Sequence, residues 1–288
     1  MDTFWSDNIQ GVMTLYLSRA LRFDELFFAR YEPMFALDKE AELNILELGC
    51  GPGALAEALK RRYPKAHITA VDRDGAFIAF SREHIPGVEF TEADIAALPF
   101  PDDTFDAVIS YTVQEHIEPG VFWGEQRRIL KPGGVCLCLS ARRGITRTAS
   151  CLEMTEAEKA FWESFPDSGD ELAAHGIGRY ALSEAELPAM MEAHGFKSVT
   201  TGYAVIDLTP DDPRFSPQMA ERMIEAQHQN DLEAIGSMHS DHAGEAVAAV
   251  NAKYAERLRL YRAGIKQWDT AVSVTMIVRG KKGTADDE

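Results

Sequence analysis

The chain has 288 residues, of which 45% are hydrophobic, enough for one sizeable domain with an elaborated cap or for one domain and a smaller second one. Its 29 basic and 46 acidic side chains give a formal charge of −17. A surface this acidic repels nucleic-acid phosphates and anionic lipid, which argues against either as the main partner. No stretch approaches the roughly 18 apolar residues of a membrane span. The four cysteines do not have the spacing of a zinc site. We therefore expect a cytoplasmic protein with reduced thiols.

The first predicted element is a helical segment over residues 3–38. Apolar and aromatic side chains, among them Leu15, Tyr16 and Phe23, recur there at spacings of three and four residues. Such a segment either packs on the main domain or roofs a ligand site, and we expect both. We therefore predict an N-terminal helical cap over residues 1–40, followed by one main domain over residues 41–288.

From Asn44 to about Ser140 the pattern alternates between strands and helices. The predicted strands are NILELG, HITAVDRD, VEFTEAD, FDAVISYT and GVCLCLSA. Their continuous apolar runs, separated by helices, predict a parallel sheet covered on both faces. Two insertions are expected, at about 141–182 and 210–265, the second mainly helical. Two alternating segments, KSVTTGYAVIDLT and TAVSVTMIVRGKK, should pair antiparallel at the sheet edge.

The stretch ILELGCGPG joins the first strand to a helix. Gly49, Gly51 and Gly53 allow positive φ angles and let a ligand lie against bare backbone beside Cys50. Dinucleotide enzymes use a similar loop, so the loop alone leaves the ligand open. Glu47, two residues before the first glycine, would oppose a pyrophosphate and suits a ligand with positive charge.

Three later strands end in further candidate ligand contacts. Asp72, in AVDRD, can accept hydrogen bonds from both hydroxyls of a ribose, as in both NAD and S-adenosylmethionine (SAM) proteins. Asp94 can accept from an adenine amino group, while Ile95 lines the base. Main-chain carbonyls near Tyr111 can receive an ammonium.

Together, ILELGCGPG, AVDRD, EADIAALPFPDDTFDAV and RRILKPGG resemble the class I SAM-dependent methyltransferases. The resemblance is greatest to the branch typified by ubiquinone/menaquinone-biosynthesis and related small-molecule methyltransferases, and it covers about residues 44–140. It implies an α/β, Rossmann-like, doubly wound sheet of seven strands in the order 3-2-1-4-5-7-6, with strand 7 antiparallel. It also implies SAM as cofactor and S-adenosylhomocysteine (SAH) as product.

The resemblance implies one set of cofactor contacts. The roles carried over are the Gly49–Gly53 loop under the methionine part, Asp72 on the ribose, Asp94 and Ile95 at the adenine, Arg73 beside it, and the backbone around Tyr111 at the amino group. The reaction expected is in-line displacement of the methyl group by a small-molecule acceptor. His116, just beyond the fourth strand, is the candidate base, with a purely structural role at the helix start weighed equally. Glu115 is next to it.

Several alternatives stay open. A protein that keeps SAM but methylates nothing, or uses it for other chemistry, is the second hypothesis, and an NAD(P)-dependent oxidoreductase is the third. His239, Asp241 and His242 suggest a metal site, but no third partner can be placed, and we expect no metal. A loop carrying His175, Arg179 and Tyr180 either folds over the site or lies on the surface. We expect a small-molecule acceptor as partner, no nucleic acid, no membrane span, and allow for a homodimer.

Overall fold

The structure is a computed structural model that describes residues 4–165, 177–236, 238 and 240–284. These residues group into two compact units. The first unit lies within Met1–Arg142, Leu172–Val205 and Val274–Glu288, and the second within Arg143–Glu171 and Ile206–Ser273. The division into an N-terminal cap and a main domain with two insertions stays a prediction.

The N-terminal segment of the first unit is helical, as the spacing of its apolar residues predicts. It contains α1 (Phe4–Asn8), α2 (Val12–Arg22), α3 (Glu25–Phe28) and α4 (Glu32–Phe35). Phe27 and Phe35 are fully buried, and the ring of Phe23 packs edge-on against Tyr111 with 5.1 Å between ring centroids. The aromatic side chains therefore attach this segment to the end of a central strand.

Seven strands form one sheet. They are β1 (Asn44–Leu48), β2 (His67–Asp72), β3 (Glu89–Glu92), β4 (Phe105–Tyr111), β5 (Leu130–Arg147), β6 (Phe196–Leu208) and β7 (Thr270–Lys282). Their order is β3-β2-β1-β4-β5-β7-β6, with β7 antiparallel, which confirms the predicted fold. In the parallel part, Ile45 pairs with Ile68 on one side and with Ala107 on the other.

Helices between the strands cover the sheet and thereby bury the central strands on both faces. They are α5 (Ala54–Arg62), α6 (Gly75–His84), α7 (Pro119–Ile129) and α9 (Glu186–Ala193). Helix α8 (Glu156–Glu163) belongs to the second unit. Ser183 and Glu186 form reciprocal capping bonds at the start of α9, with N···O distances of 2.9 and 3.3 Å. Strands β1, β2 and β4 are parallel neighbours, so their carboxyl ends meet at one edge, where α/β proteins bind ligands.

The second unit is mainly helical. It contains α8 (Glu156–Glu163), α10 (Pro217–Gly236) and α11 (Ala243–Arg262). Its core is a cluster around Phe161, Ile224, Ile235, Val250 and Tyr254. Within the described ranges, no helix combines the length and apolar character needed to cross a membrane.

Candidate functional site

A cavity of about 130 Å³ lies at the carboxyl ends of β1, β2 and β4 in the first unit. It brings together seven predicted site residues: Gly49, Gly51, Asp72, Arg73, Asp94, Ile95 and His116. Leu15, named above in the segment expected to roof a ligand site, also lines it. So do side chains that the sequence did not single out, namely Trp5, Arg19, Phe77, Ala93, Thr112, Val113 and Ile117. The edge of the sheet named by the motifs is therefore the edge that carries the cavity.

The three loop glycines all have positive φ angles, +61° at Gly49, +53° at Gly51 and +83° at Gly53. Two of them are also required by the protein's own packing. A Cβ on Gly49 would lie 2.5 Å from a methyl of Val113, and one on Gly53 would lie 2.7 Å from Ile85. These two glycines therefore allow the loop to pack closely against its neighbours. Packing alone explains why side chains are absent at these two positions, so they do not by themselves indicate a ligand.

Gly51 is the glycine that faces the cavity without such a clash. The nearest atom to a Cβ built there is a methyl of Leu15, at 3.2 Å, followed by the guanidinium of Arg19 at 3.5 Å. Both side chains come from α2, which lies over the loop. Because they occupy part of the space, the cavity is smaller than the roughly 300–1,000 Å³ typical of ligand pockets.

Glu47 is the main electrostatic feature beside the loop. Its side chain is 1% exposed, and its Oε2 has no hydrogen-bond partner among the described residues. Burial raises the pKa of this carboxyl to about 8; Asp72 adds to the rise, while Arg19 and the N–H of Ala56 oppose it. A hydrogen-bond donor with positive charge would stabilise the ionised form of this buried carboxyl.

Asp72 fixes the loop to the end of β2. Its Oδ2 accepts the N–H of Gly51 at 2.7 Å and its Oδ1 accepts the N–H of Asp74 at 2.9 Å. Burial raises the pKa of Asp72. Each carboxylate oxygen has two acceptor positions, so the side chain can hold the loop and still accept from ligand hydroxyls in the cavity.

Arg19 brings a cation into the site. Its Nη2 donates to the hydroxyl of Thr112 at 2.8 Å, and its guanidinium carbon lies 5.1 Å from the ring centroid of Tyr111. Sequence reasoning placed Leu15 on a possible roof but missed Arg19, four residues later on the same helical face. The sequence signal that could have identified Arg19 is a basic residue within the otherwise apolar and aromatic face of this helix.

Thr112 is a strained residue at the end of β4. Its φ is +54°, unusual for a β-branched side chain. Its hydroxyl donates to the carbonyl of Tyr111 at 2.7 Å and its N–H donates to Leu139 at 2.9 Å. The conformation turns the Thr112 side chain toward Arg19, and it occupies one acceptor position of the carbonyl that was predicted to receive an ammonium.

Asp94, Ile95 and Arg73 line another part of the cavity. Asp94 is exposed and caps the short turn Ile95–Ala97, accepting the N–H of Ala96 at 2.8 Å. Ile95 is 7% exposed and offers an apolar surface, and Arg73 follows Asp72 in the lining. The predicted roles of these residues at the base stay predictions.

His116 lies in the cavity as a neutral imidazole. Its Nδ1 accepts the N–H of Gly178 at 3.0 Å, so the ring proton is on Nε2. Burial lowers the pKa of His116 to about 4, and the charges of Arg19 and Arg73 lower it further. Trp5 packs edge-on against the ring at 4.9 Å. With Nδ1 engaged and so low a pKa, His116 is better suited to donate a hydrogen bond than to abstract a proton.

Four predicted cofactor residues do not line the cavity: Glu47, Cys50, Gly53 and Tyr111. Cys50 is 1% exposed, and burial raises the pKa of its thiol well above the usual value, so it is an unreactive packing residue. Tyr111 is 4% exposed and its ring supports Arg19. Any contact of these residues with a ligand would be through the backbone or, for Glu47, through its unpaired oxygen.

The other candidates are distributed over both units. Arg179 stacks over the ring of Tyr180, whose N–H donates to the carbonyl of Glu115 at 2.9 Å. His175 and His239 lie outside the described residues. Elsewhere in the described part of the chain, no group of three His, Cys, Asp or Glu side chains is placed to hold a metal ion.

Comparison with known proteins shows similarity over part of the chain. Residues 46–138 match the family model described as a methyltransferase domain. The chain is 34% identical over 163 residues to the fatty-acid O-methyltransferase of Mycolicibacterium smegmatis, covering 46% of this chain and 59% of that enzyme. It is 39% identical over 124 residues to the demethylmenaquinone methyltransferase of Thermus thermophilus, covering 41% of this chain and 56% of that enzyme. The chain thus spans less than two thirds of the length of either relative.

The fold is also similar to that of phosphoethanolamine N-methyltransferase 2 from Haemonchus contortus, solved with phosphomonomethylethanolamine and SAH. The TM-score is 0.57 at 14% identity, and the alignment covers 98% of this chain and 60% of that one. At this identity the likeness concerns the fold alone. It agrees with the sheet order observed here.

Proposed function

We propose that the chain moves the methyl group of SAM to a small-molecule acceptor and releases SAH, because residues 46–138 match the family model described as a methyltransferase domain. The observation that carries this proposal is the unpaired, buried oxygen of Glu47. A cofactor with an ammonium group and a sulfonium supplies the positive charge that this carboxyl lacks. A dinucleotide would bring a pyrophosphate toward the same carboxyl, which disfavours an NAD(P)-dependent oxidoreductase.

The residues around the cavity fit SAM in the chemistry of their donors and acceptors. Glu47 and the carbonyl of Tyr111 would take the ammonium, and the guanidinium of Arg19 would take the carboxylate of the methionine part. Asp72 would accept from the ribose hydroxyls, and Asp94 from the adenine amino group. Arg19 is 2.8 Å from Thr112, whose left-handed backbone holds the pair in place.

The reaction needs little from the protein beyond orientation. When bound, SAM supplies a methyl group on a sulfonium; the acceptor's electron pair forms the new bond, the C–S pair stays with sulfur, and the acceptor loses a proton. Holding acceptor and methyl in line in a dry site contributes on the order of 7–11 kcal/mol of barrier reduction. His116, neutral with its proton on Nε2, would orient an acceptor oxygen or nitrogen by donating to it, and solvent would take the acceptor's proton.

The acceptor is proposed as a small molecule. The two relatives named above act, by their names, on a fatty acid and on demethylmenaquinone. Both acceptors combine an apolar body with an oxygen-bearing group, and a first panel of acceptors should share that character.

The proposal is tested by turnover. The full chain is incubated with SAM and a panel containing a long-chain fatty acid and a naphthoquinol, with an aromatic amine for comparison, and SAH is measured by mass spectrometry. We expect SAH to accumulate with at least one acceptor and not with Gly51→Val. SAM that binds but yields no SAH with any acceptor would favour the second hypothesis, a SAM-binding protein that transfers no methyl group. Absence of SAM binding would refute both.

A further inference from the structure

The second unit contains a larger cavity of about 580 Å³, and every residue that lines it belongs to that unit. The size lies within the roughly 300–1,000 Å³ typical of sites for small organic ligands. Its walls come from α8, α10, α11 and the segments beside them. Nothing in the proposed methyltransferase chemistry uses these residues.

The first feature of this cavity is an acid–base–acid group on its wall. Lys253 donates to Glu158 at 2.5 Å and lies 3.6 Å from a carboxylate oxygen of Asp231. Asp231 also accepts from the hydroxyl of Tyr254 at 2.8 Å and from the amide of Gln227 at 2.9 Å. Two carboxylates share one ammonium, so the group carries a net negative charge.

A second acid–base–acid group stands beside it. Arg257, fully buried, pairs with Asp211 at 2.8 Å and with Asp269 at 2.6 Å. Asp211 is further held by the N–H groups of Gln267 and Trp268, each at 2.8 Å. Again two carboxylates share one base, and Asp269 is the member that lines the cavity.

The charge that a ligand would meet in the cavity is therefore negative. The side chains of Asp231 and Asp269 are 26% and 15% exposed, whereas those of Lys253 and Arg257 are 9% and 0% exposed. The bases are enclosed and already paired, and the carboxylates are the accessible ends. Arg147 and Glu153 are exposed residues of the lining with charges of opposite sign, and Arg147 donates to the carbonyl of Trp268 at 3.3 Å.

Apolar and aromatic surface completes the cavity. Trp162 and Met154 line it while remaining 36% and 50% exposed, and Met223 and Tyr254 line it from buried positions. Exposed aromatic and thioether groups beside accessible carboxylates match a ligand with an apolar body and a cationic head. An anionic ligand would meet an excess of negative charge with no accessible base to oppose it except Arg147.

We propose that this cavity is a binding site for an organic cation, an ammonium attached to an apolar or aromatic body. The ammonium lies against Asp231 and Asp269, and the body lies along Trp162 and Met154. The opposing possibility is that the two acid–base–acid groups only join the helices and strands of the unit. That arrangement would give the cavity no preference for charge.

The test uses three probes of equal shape on the full chain. 3-Phenylpropylamine, 3-phenylpropanol and 3-phenylpropanoate are titrated calorimetrically at pH 7. We expect the amine to bind at least about tenfold more tightly than the alcohol, and the carboxylate not to bind. Equal affinity for amine and alcohol, tighter binding of the carboxylate, or no binding of the amine up to 10 mM would overturn the proposal.

Matched variants locate the site. Asp231→Asn keeps the shape of the side chain and should weaken binding of the amine about tenfold. Asp241→Asn makes the same change of charge at an exposed position that does not line the cavity, and should leave binding unchanged. Asp72→Ala, in the first unit, should also leave it unchanged. A loss with Asp72→Ala but not with Asp231→Asn would assign the amine to the cofactor cavity and overturn the proposal.

Discussion

Replacing Glu47 by glutamine changes the one charge on which the cofactor assignment depends. The pKa of Glu47 is raised to about 8, so at pH 7 most of the molecules carry a proton there. An ammonium placed against Oε2 favours the charged carboxylate and expels this proton. The wild-type protein should therefore release up to one proton more per bound SAM than Glu47→Gln, whose amide does not titrate.

The release is measured by calorimetric titration with SAM at pH 7 in buffers of different ionisation enthalpy, such as phosphate and Tris. The slope of the observed enthalpy against the buffer's ionisation enthalpy gives the number of protons. Equal release by the two proteins would show that the ammonium is not held by Glu47. That result would remove the observation that carries the proposed function.

The same variant makes a prediction for stability. The folded pKa of Glu47 lies above its unfolded value of 4.5, so the native state holds a proton that the unfolded state releases first. The wild type should lose stability relative to Glu47→Gln as pH rises from 4.5 through 8, by at most about 5 kcal/mol at 1.36 kcal/mol per pKa unit. Urea unfolding of both proteins at pH 4.5 and pH 8.5 measures this change, and a wild type that gains stability relative to Glu47→Gln as pH rises would contradict the assignment.

Three further variants and one titration follow from the same site. Asp72→Ala should weaken SAM binding by about 3–6 kcal/mol, because two hydrogen bonds to a carboxylate are worth about 1.5–3 kcal/mol each; unchanged affinity in calorimetry would place the ribose elsewhere. Gly51→Val should abolish SAM binding with a folded circular-dichroism spectrum, since a side chain there would enter the cavity while meeting only the flexible ends of Leu15 and Arg19; a variant that still binds would refute the position of the loop. Arg19→Ala should weaken SAM binding by about 1.5–3 kcal/mol, with partial retention in Arg19→Lys, and equal loss in both would show that charge alone is not what matters. His116 should remain neutral with its proton on Nε2 from pH 8 to pH 5 in ¹⁵N NMR, and protonation near pH 6.5 would contradict the environment described.

The parallel half of the sheet could be predicted because its signals are local. The strand Asn44–Leu48, the glycine turn and Ala54–Arg62 are adjacent in sequence, and Asp72 ends the next strand. Each signal needs only the few residues around it, and the parallel pairing of neighbouring strands follows from the alternation with helices. The candidate residues at the ends of β1 and β2 were found for the same reason.

Arg19 and Thr112 could not be predicted because their roles depend on distant contacts. Arg19 meets Thr112 across 93 positions of sequence, and only the packing of α2 on the sheet brings them together. The requirement for glycine at position 53 could not be predicted either. The atom nearest to a side chain built there belongs to Ile85, which follows α6. Patterns of periodicity report which face is buried but not which partner buries it.

The second unit shows the same limit on a larger scale. Helical periodicity predicted the insertion that became α10 and α11. The cavity depends on Lys253 meeting Glu158, 95 positions earlier, and on Arg257 meeting Asp211, 46 positions earlier. In sequence these residues are ordinary charges of helices and loops, and their pairing requires the fold.

The central claim is that the first unit binds SAM at the glycine turn. Its most direct test is calorimetric titration of the purified full chain with SAM, SAH and NADH in parallel, after mass spectrometry has shown that no ligand co-purified. The account predicts micromolar binding of SAM and SAH, loss of both with Gly51→Val, and no heat with NADH. Binding of NADH, or no binding of SAM to ligand-free protein, would contradict it.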